Sequence, residues 1–551
     1  MANWVFVLLV YQAHMLKNKI LVFTLVLAAI LRLWGLSGFP AGFNADEAAL
    51  GYNAYSLLTT GKDEHGHPWP INLESFGDFK PALYSYVLIP FIKVMGLTEL
   101  AVRLPSALAG ILSVYLIYLI TLNLSDGKQK YWASISALLL AISPWHLQFS
   151  RGAWEVNLAS AFILLGIYNL ILWLKNYNYK YLLFFLVPFV LALYTYQSAR
   201  IFIPVFCLAI FAIYFKDYVS RFNQIVKAAL IGFILVIPLL ISIFTTGAAS
   251  RFSGVGFTAD IGPVNRINEL RGQHSQGFEN LFATLLHNKP VIYFYQFINN
   301  YLSHFDGNFL FINGDVIERN KVPETGQLYL IDSIFMLIGI VFLLRQKNKY
   351  APIIWIWLLV APIASSLTFQ VPHALRAQIM LYPLIIIISL GLSQIHKLLP
   401  VVCYLTIMVY LYLFTNYLHQ YYIHYPQIYP AAWQYGFKDM VSYVNANQDR
   451  YQKVVITDKY DQPYILYLFY SRYSPAKFQT EHVLTPRDRY NFSTVKTFSK
   501  FEFTSTPWDK VRDWHGTLIV AAPEDIPEVG VNIVKTIYFP NGKPAFKIVS
   551  N

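Results

Sequence analysis

FNADEAALGYNAYSLLTTGKDEHGHPWPINLESFGDFKP, residues 43–81, gathers acids, histidines, aromatics and a lysine in a chain otherwise compatible with hydrocarbon. An apolar segment at 20–36 precedes it and another at 104–124 follows, so it reads as a polar loop between membrane spans. Of 551 residues, 56% are hydrophobic and 13% charged. Soluble domains carry roughly 25% charged residues, so the composition is that of an integral membrane protein.

A helix needs about 20 apolar residues to cross the hydrocarbon core, fewer where its ends snorkel. Working outward from the loop, eleven stretches qualify: 20–36, 104–124, 131–145, 156–174, 181–196, 201–215, 228–246, 328–344, 351–369, 379–395 and 398–414. Every second connection between them is basic: Lys17 and Lys19, Lys128 and Lys130, Lys175 and Lys180, Lys216, Arg221 and Lys227, Arg345, Lys347 and Lys349, then Lys397. Under the positive-inside rule these loops are cytoplasmic, which puts the N-terminus inside and the C-terminus outside. The net charge of +12 is thereby taken up by membrane topology, and no nucleic-acid partner is expected. Cys207 and Cys403 both lie in apolar runs and offer no disulfide framework.

The expected fold is a polytopic α-helical membrane protein with a small C-terminal extracytoplasmic α/β domain. Residues 1–19 form the cytoplasmic N-terminus, with 1–14 read as a start-site extension ahead of MLKNK. Residues 20–418 make the transmembrane module, which carries outer loops 37–103 and 247–327. Within loop 37–103, the part 80–95 is too short and interrupted for a span and reads as an interfacial helix. Residues 419–551 make the outer domain: AAWQYGFKDMVSYVNANQ (431–448) has helical periodicity, KVVITD and GTLIVAAP read as buried strands, and PNG at 540–542 marks a hairpin. No GxGxxG or P-loop motif occurs, so no nucleotide is implied.

Chemistry concentrates on the outer face. Asp46-Glu47 starts a helix among small apolar neighbours, where an Asp is also a good cap. A carboxylate there can take a proton from a hydroxyl, and a neighbouring carboxylate would raise its proton affinity. Lys80, Arg103, Arg151, Arg200 and Arg376 lie near the outer span ends, where the positive-inside rule leaves few cations. Each alone reads equally well as a headgroup anchor. Together they can ring an anionic ligand, because arginine pairs its N–H donors with phosphate and lysine serves as a point charge.

FNADEAALGYNAYSLLTTG, GDFKPALYSY, ELAVRLPSALAG and SPWHLQFSRGAWE together resemble the GT-C superfamily of polyprenyl-phosphate-dependent glycosyltransferases. The resemblance is to the protein O-mannosyltransferase and aminoarabinose-transferase branch in its bacterial form. It covers the order of spans from about 20 to 395, with specific motifs confined to 43–155. It implies an inverting transfer of one sugar from a polyprenyl-phosphate carrier in the cell membrane to an acceptor hydroxyl of a protein, glycolipid or polysaccharide, on the outer face. The family's first-loop acid matches Asp46, with Glu47 beside it, and its Lys-Pro that meets the carrier phosphate matches Lys80-Pro81. Its second-loop acid matches Glu155, where the family often has Asp. Arg376 resembles a donor-phosphate position of some members, and Arg103 and Arg151 are expected to join it.

Some GT-C members use a divalent cation and others do not, so the resemblance leaves a metal open. Glu64, His65 and His67 are the residues of suitable ligand type. HxH beside acids in a Gly/Pro-rich loop is more often a polar turn. Two other functions fit a polytopic chain. An oligosaccharyltransferase would carry a WWDYG-type motif, which AAWQYG only echoes. A transporter or lipid flippase would show midplane charges and repeats, and neither is seen here.

Overall fold

A computed structural model of the chain describes residues 18–127, 129–245, 256, 260–274, 280–346, 348–395, 400–488 and 493–550. The start-site reading of 1–14 and the loop lysines Lys17, Lys128, Lys347 and Lys397 lie outside these residues. Each of the eleven apolar stretches falls on a helix. Among the described residues, four helices are long and apolar enough to cross a membrane: Glu99–Leu124, Glu155–Asn176, Phe222–Thr245 and Pro400–Ile428. Others, such as Lys130–Ile142 and Tyr179–Leu193, are shorter. Pro362 ends the Ala351–Val360 helix, because proline has no N–H to continue the ladder. Phe233, Phe244, Leu405 and Met408 stay largely exposed, a surface suited to lipid.

Loop 37–103 is ordered by local rules. Helix Ala45–Thr60 ends at Gly61, whose φ of +71° is the left-handed cap glycine supplies at no steric cost. Strands β1 (Asn72–Ser75) and β2 (Asp78–Pro81) pair antiparallel across Phe76-Gly77, both at positive φ, as a two-residue hairpin turn requires. Helix Leu83–Met95 then occupies the stretch read as interfacial. Within loop 247–327 the described helices are Gly262–Gly272, Leu281–Leu286 and Lys289–Ser303.

Residues 453–550 build a seven-stranded sheet: β3 (Lys453–Ile456), β4 (Val483–Leu484), β5 (Val495–Phe498), β6 (Phe501–Phe503), β7 (Thr517–Ala521), β8 (Ile533–Tyr538) and β9 (Pro544–Ser550). The spatial order is β4-β5-β6-β3-β7-β9-β8. KVVITD and GTLIVAAP become β3 and β7, adjacent and parallel, with nearly all of their side chains buried as central parallel strands require. The PNG turn joins β8 to β9 antiparallel.

The core of this sheet unit is not self-contained. Buried residues of helix Ala45–Thr60 and of helices Phe437–Asn447 and Pro463–Ser471 form one apolar cluster. The Phe43 and Phe469 rings are 4.6 Å apart, and the Tyr52 hydroxyl donates to the Tyr473 carbonyl at 3.0 Å. Close approach is possible because residue 51 is glycine: a Cβ there would stand 2.7 Å from a Val102 methyl and 2.8 Å from the Phe469 ring. Gly51→Val is therefore expected to cost about 1–3 kcal/mol by overpacking. It should lower the thermal unfolding midpoint in detergent and speed proteolytic release of the sheet unit; an unchanged midpoint would refute the contact.

Candidate active site

The helix carrying the acid pair is started by a reciprocal cap. The Asn44 side chain accepts from the Glu47 N–H at 3.1 Å, and the Glu47 carboxylate accepts from the Asn44 N–H at 3.3 Å. Successive helical residues point about 100° apart, so the neighbouring acids diverge. Asp46 faces an open cleft with 37% of its side chain exposed, held by the Lys80 ammonium at 2.5 Å and the Arg319 guanidinium at 3.6 Å. Glu47 is fully buried.

The buried partner of Glu47 is Arg103, and this revises the expectation for three residues. The Arg103 guanidinium makes five hydrogen bonds, two to the Glu47 carboxylate at 2.8 and 3.0 Å and one to each of the carbonyls of Leu36, Pro40 and Gly42. Glu47 also accepts from the Ala153 N–H at 2.9 Å. Arg151, equally buried, donates to the carbonyls of Leu31, Trp34 and Phe39 and to the Tyr421 hydroxyl. Arg103 and Arg151 therefore spend their donors on Glu47, Tyr421 and the carbonyls of residues 31–42, not on a phosphate. Glu47, expected to share the chemistry, instead anchors the helix. Gly42 completes the arrangement, since at φ +102° a Cβ would stand 2.3 Å from the Trp433 carbonyl oxygen.

Lys80 is placed by the hairpin. It lies on β2, its ammonium 4.4 Å from the centre of the Phe76 ring, with only 13% of its side chain exposed. The loop at 197–200 fixes the hairpin: Gln197 donates to the Phe79 carbonyl, and Arg200 donates to Asn72 at 2.8 Å. Arg487 from the sheet unit binds the turn through the Gly77 carbonyl and Glu74.

Arg319 was not legible in the sequence. It lies in loop 247–327, where VIERNK carries no motif, and its carbonyl is held by Gln148 at 2.7 Å. Arg376 is half-buried and donates to the Thr368 hydroxyl at 2.7 Å. Both arginines bear on His373, whose imidazole is held well below its usual range first by burial and then by Arg376 and, less strongly, by Arg319. Glu155 begins helix Glu155–Asn176, half-buried, and acts with Glu47 on the Tyr84 phenol.

The Asp63–His67 loop divides its ligand-type groups among separate partners. Asp63 accepts from the N–H groups of His65 and His67. His65 Nδ1 lies 3.2 Å from His482 Nε2 of the sheet unit, and Glu64 accepts from the Ser75 hydroxyl at 2.6 Å. Among the described residues no group of three His, Cys, Asp or Glu side chains is arranged to hold a metal ion, so Glu64, His65 and His67 do not fit as a ligand set. Burial lifts the Glu64 carboxyl to about 8 despite hydrogen bonds from Ser75 and Asn53.

Residues 79–241 match the dolichyl-phosphate-mannose-protein mannosyltransferase family. No curated protein matches the chain. Among solved structures, ArnT from Cupriavidus metallidurans bound to undecaprenyl phosphate is similar in fold, with a TM-score of 0.55 and 10% identity over 96% of this chain and 97% of that one. The oligosaccharyltransferase AglB from Archaeoglobus fulgidus, in complex with an inhibitory peptide and a dolichol-phosphate, reaches 0.48 and 13% over 83% and 64%, a likeness too slight to carry weight. The family match over residues 79–241 and the likeness in fold to ArnT together support a glycosyltransferase with a GT-C-like fold. Within that class the chain resembles the protein O-mannosyltransferase and aminoarabinose-transferase branch, and the matched region opens at Phe79, beside Lys80.

Arg103→Ala would leave Glu47 buried and unpaired, a change that typically costs about 3–5 kcal/mol. The expected result is loss of folded protein, measured by thermal unfolding in nanodiscs, with partial rescue by the paired change Arg103→Met and Glu47→Gln. Glu64 gives a prediction in pH. Its carboxyl binds a proton more tightly folded than unfolded, so its contribution to stability is complete below about 4.5 and is lost as pH rises through about 8. Glu64→Gln should flatten the fall in unfolding midpoint between pH 5 and 8.5; an unaltered slope would refute the assignment.

Proposed function

We propose that this chain transfers one sugar from a polyprenyl-phosphate carrier to an acceptor hydroxyl on the outer face of the cell membrane, with inversion at the anomeric carbon. The observation that supports this best is the convergence of Lys80 and Arg319 on Asp46, an exposed carboxylate whose helix is anchored from below by Glu47 and Arg103. In this reading the N-terminus is cytoplasmic, about eleven helices span the bilayer, and residues 419–551 form an extracytoplasmic domain. ArnT from Cupriavidus metallidurans binds undecaprenyl phosphate, and the same class of lipid is the proposed donor carrier here.

Lys80 and Arg319 receive the donor phosphate, and Arg376, which shares the His373 neighbourhood with Arg319, adds a third cation. Asp46 accepts the proton of the acceptor hydroxyl as its oxygen bonds to the anomeric carbon. The bond from that carbon to the phosphate oxygen breaks, and polyprenyl phosphate leaves with the electron pair. Fixed cations at the leaving oxygens favour the step because they meet charge that grows in the transition state. Glu155 is the second outer-face acid, in the field of the same Tyr84 phenol as Glu47. A protein, glycolipid or polysaccharide hydroxyl serves equally well as acceptor in this chemistry, and the residues above need no metal to perform it.

The test is turnover of radiolabelled undecaprenyl-phosphate sugars by the purified chain in nanodiscs, with and without chelator. Asp46→Asn is expected to reduce release of undecaprenyl phosphate by at least about a hundredfold, the usual worth of a positioned base, without changing the unfolding midpoint. Lys80→Ala and Arg319→Ala should weaken inhibition by undecaprenyl phosphate itself. Undiminished turnover by the Asp46 variant would overturn the reading.

A further inference from the structure

The sheet unit contributes a second carboxylate to the cleft. Gln434 stands between the two parts: its side-chain oxygen accepts from the Ala45 N–H at 2.6 Å, and its amide donates to the carbonyls of Tyr460 and, at 2.7 Å, Asp461. One side chain thus ties the residue before Asp46 to the backbone of Asp461. Gln434, Asp461 and Gln462 all hold positive φ, at +51°, +55° and +47°. Consecutive non-glycine residues in this region are disfavoured and persist only where surrounding structure fixes them, a condition that clusters at functional sites. Here the fixing contacts are Gln434 and the Thr494 hydroxyl, which donates to Gln462 at 2.7 Å.

Asp461 is exposed and forms no ion pair among the described residues. It nevertheless lies in the field of Asp46, Arg319 and Lys80. Protein walls around the cleft raise its carboxyl above the usual range, and the Asp46 carboxylate raises it further. An exposed acid in the field of both cations and the base, and tied to none of them, is available to a ligand.

We propose that Asp461 is a donor-sugar-binding residue supplied by the C-terminal unit, its carboxylate accepting hydrogen bonds from hydroxyls of the sugar held beside Asp46 and the cations Lys80 and Arg319. This rests on the transferase reading above. The chemistry selects the ligand. A carboxylate repels phosphate, whereas it accepts hydrogen bonds at two oxygens and suits adjacent hydroxyls. The sugar is one bond from the phosphate, so a residue that shares the phosphate's cations meets the sugar next. A site that rejects a substrate lacking a required hydroxyl does so because its own polar group is left unpaired. Asp461 is thus a specificity-determining residue, and the sheet unit forms one wall of the sugar site.

The experiment compares wild type, Asp461→Asn and Asp461→Ala as full chains in nanodiscs. The donors are undecaprenyl phosphate carrying mannose, glucose or galactose, together with the 2-, 3-, 4- and 6-deoxy forms of whichever sugar turns over. Sugar-free undecaprenyl phosphate is the inhibitor. Asp461→Asn should raise donor KM at least tenfold and shrink the wild-type preference for the full sugar over one deoxy form. Its unfolding midpoint and its inhibition by undecaprenyl phosphate should stay unchanged, which a merely structural role would not allow. Unaltered KM and deoxy preference in both variants would overturn the proposal and leave the transferase reading standing. A chelator-sensitive wild type and chelator-insensitive variants would also overturn it, in favour of cation binding. No turnover of any donor by wild type would overturn the transferase reading and the proposal together.

Discussion

The placement of Asp46 hangs on the buried ion pair between Glu47 and Arg103. Taking two charges out of water is expensive, and the cost is offset only when geometry is good and the remaining donors and acceptors are filled. Both conditions hold here. The two side chains meet through paired hydrogen bonds, three backbone carbonyls take the other guanidinium donors, and the Ala153 N–H fills the carboxylate. Three stretches distant in sequence are thereby fixed to one point: residues 36–47 with the start of helix Ala45–Thr60, helix Glu99–Leu124 and the turn before Glu155. The preceding residue, Asp46, inherits a fixed position, with its own carboxylate turned to Lys80 and Arg319.

This division of labour between adjacent acids explains why the acid pair lies at a helix start. A loop carboxylate must be immobilised at some entropic cost before it can act on a substrate in a defined orientation. Here the helix supplies the orientation, the Glu47 anchor supplies the rigidity, and the hairpin β1–β2 brings Lys80 across from the other side. The C-terminal part closes the arrangement through Gln434, Arg487 and His482, each in contact with residues 37–103. Helix Pro463–Ser471 packs directly on helix Ala45–Thr60 at Gly51, so the sheet unit is part of the framework that holds Asp46 and not an appendage.

The fold was legible where periodicity and hydropathy carry the information. All eleven apolar stretches are helical, and the PNG hairpin and the strands KVVITD and GTLIVAAP stand where their patterns put them. Asp46 and Lys80 carry local motif, and the β1–β2 hairpin brings them together. Arg103 and Arg151 resemble phosphate ligands in the sequence because an arginine near a span end is marked by its type, while the backbone carbonyls that consume its donors have no signature. Arg319 and Asp461 were missed for the complementary reason. Each sits in a stretch without motif, and each matters only because tertiary contacts, through Gln148 and Gln434 respectively, bring it to a point more than two hundred residues away in sequence. The divergence of Asp46 and Glu47 follows from helical geometry, but which acid faces the cleft depends on where the partner arginine lies.

A base held by two cations looks at first like a poor base, since a paired carboxylate gives up its charge reluctantly. The charge balance of the proposed reaction answers this. The donor is a phosphodiester with one negative charge, and the departing carrier is a phosphomonoester with two. Asp46 loses one negative charge as it takes the acceptor's proton. The sum over base and phosphate is therefore the same before and after, and the charge has only moved from one to the other. Lys80 and Arg319, shared between Asp46 and the phosphate position, keep a counter-charge throughout, so what the ion pair loses at the carboxylate is regained at the leaving group. In a cleft of reduced dielectric such a transfer between fixed cations needs little reorganisation, which is the condition under which preorganised charge lowers a barrier. The same logic assigns the site its cations: enough to hold a charge that migrates, placed where both ends of the migration can reach them.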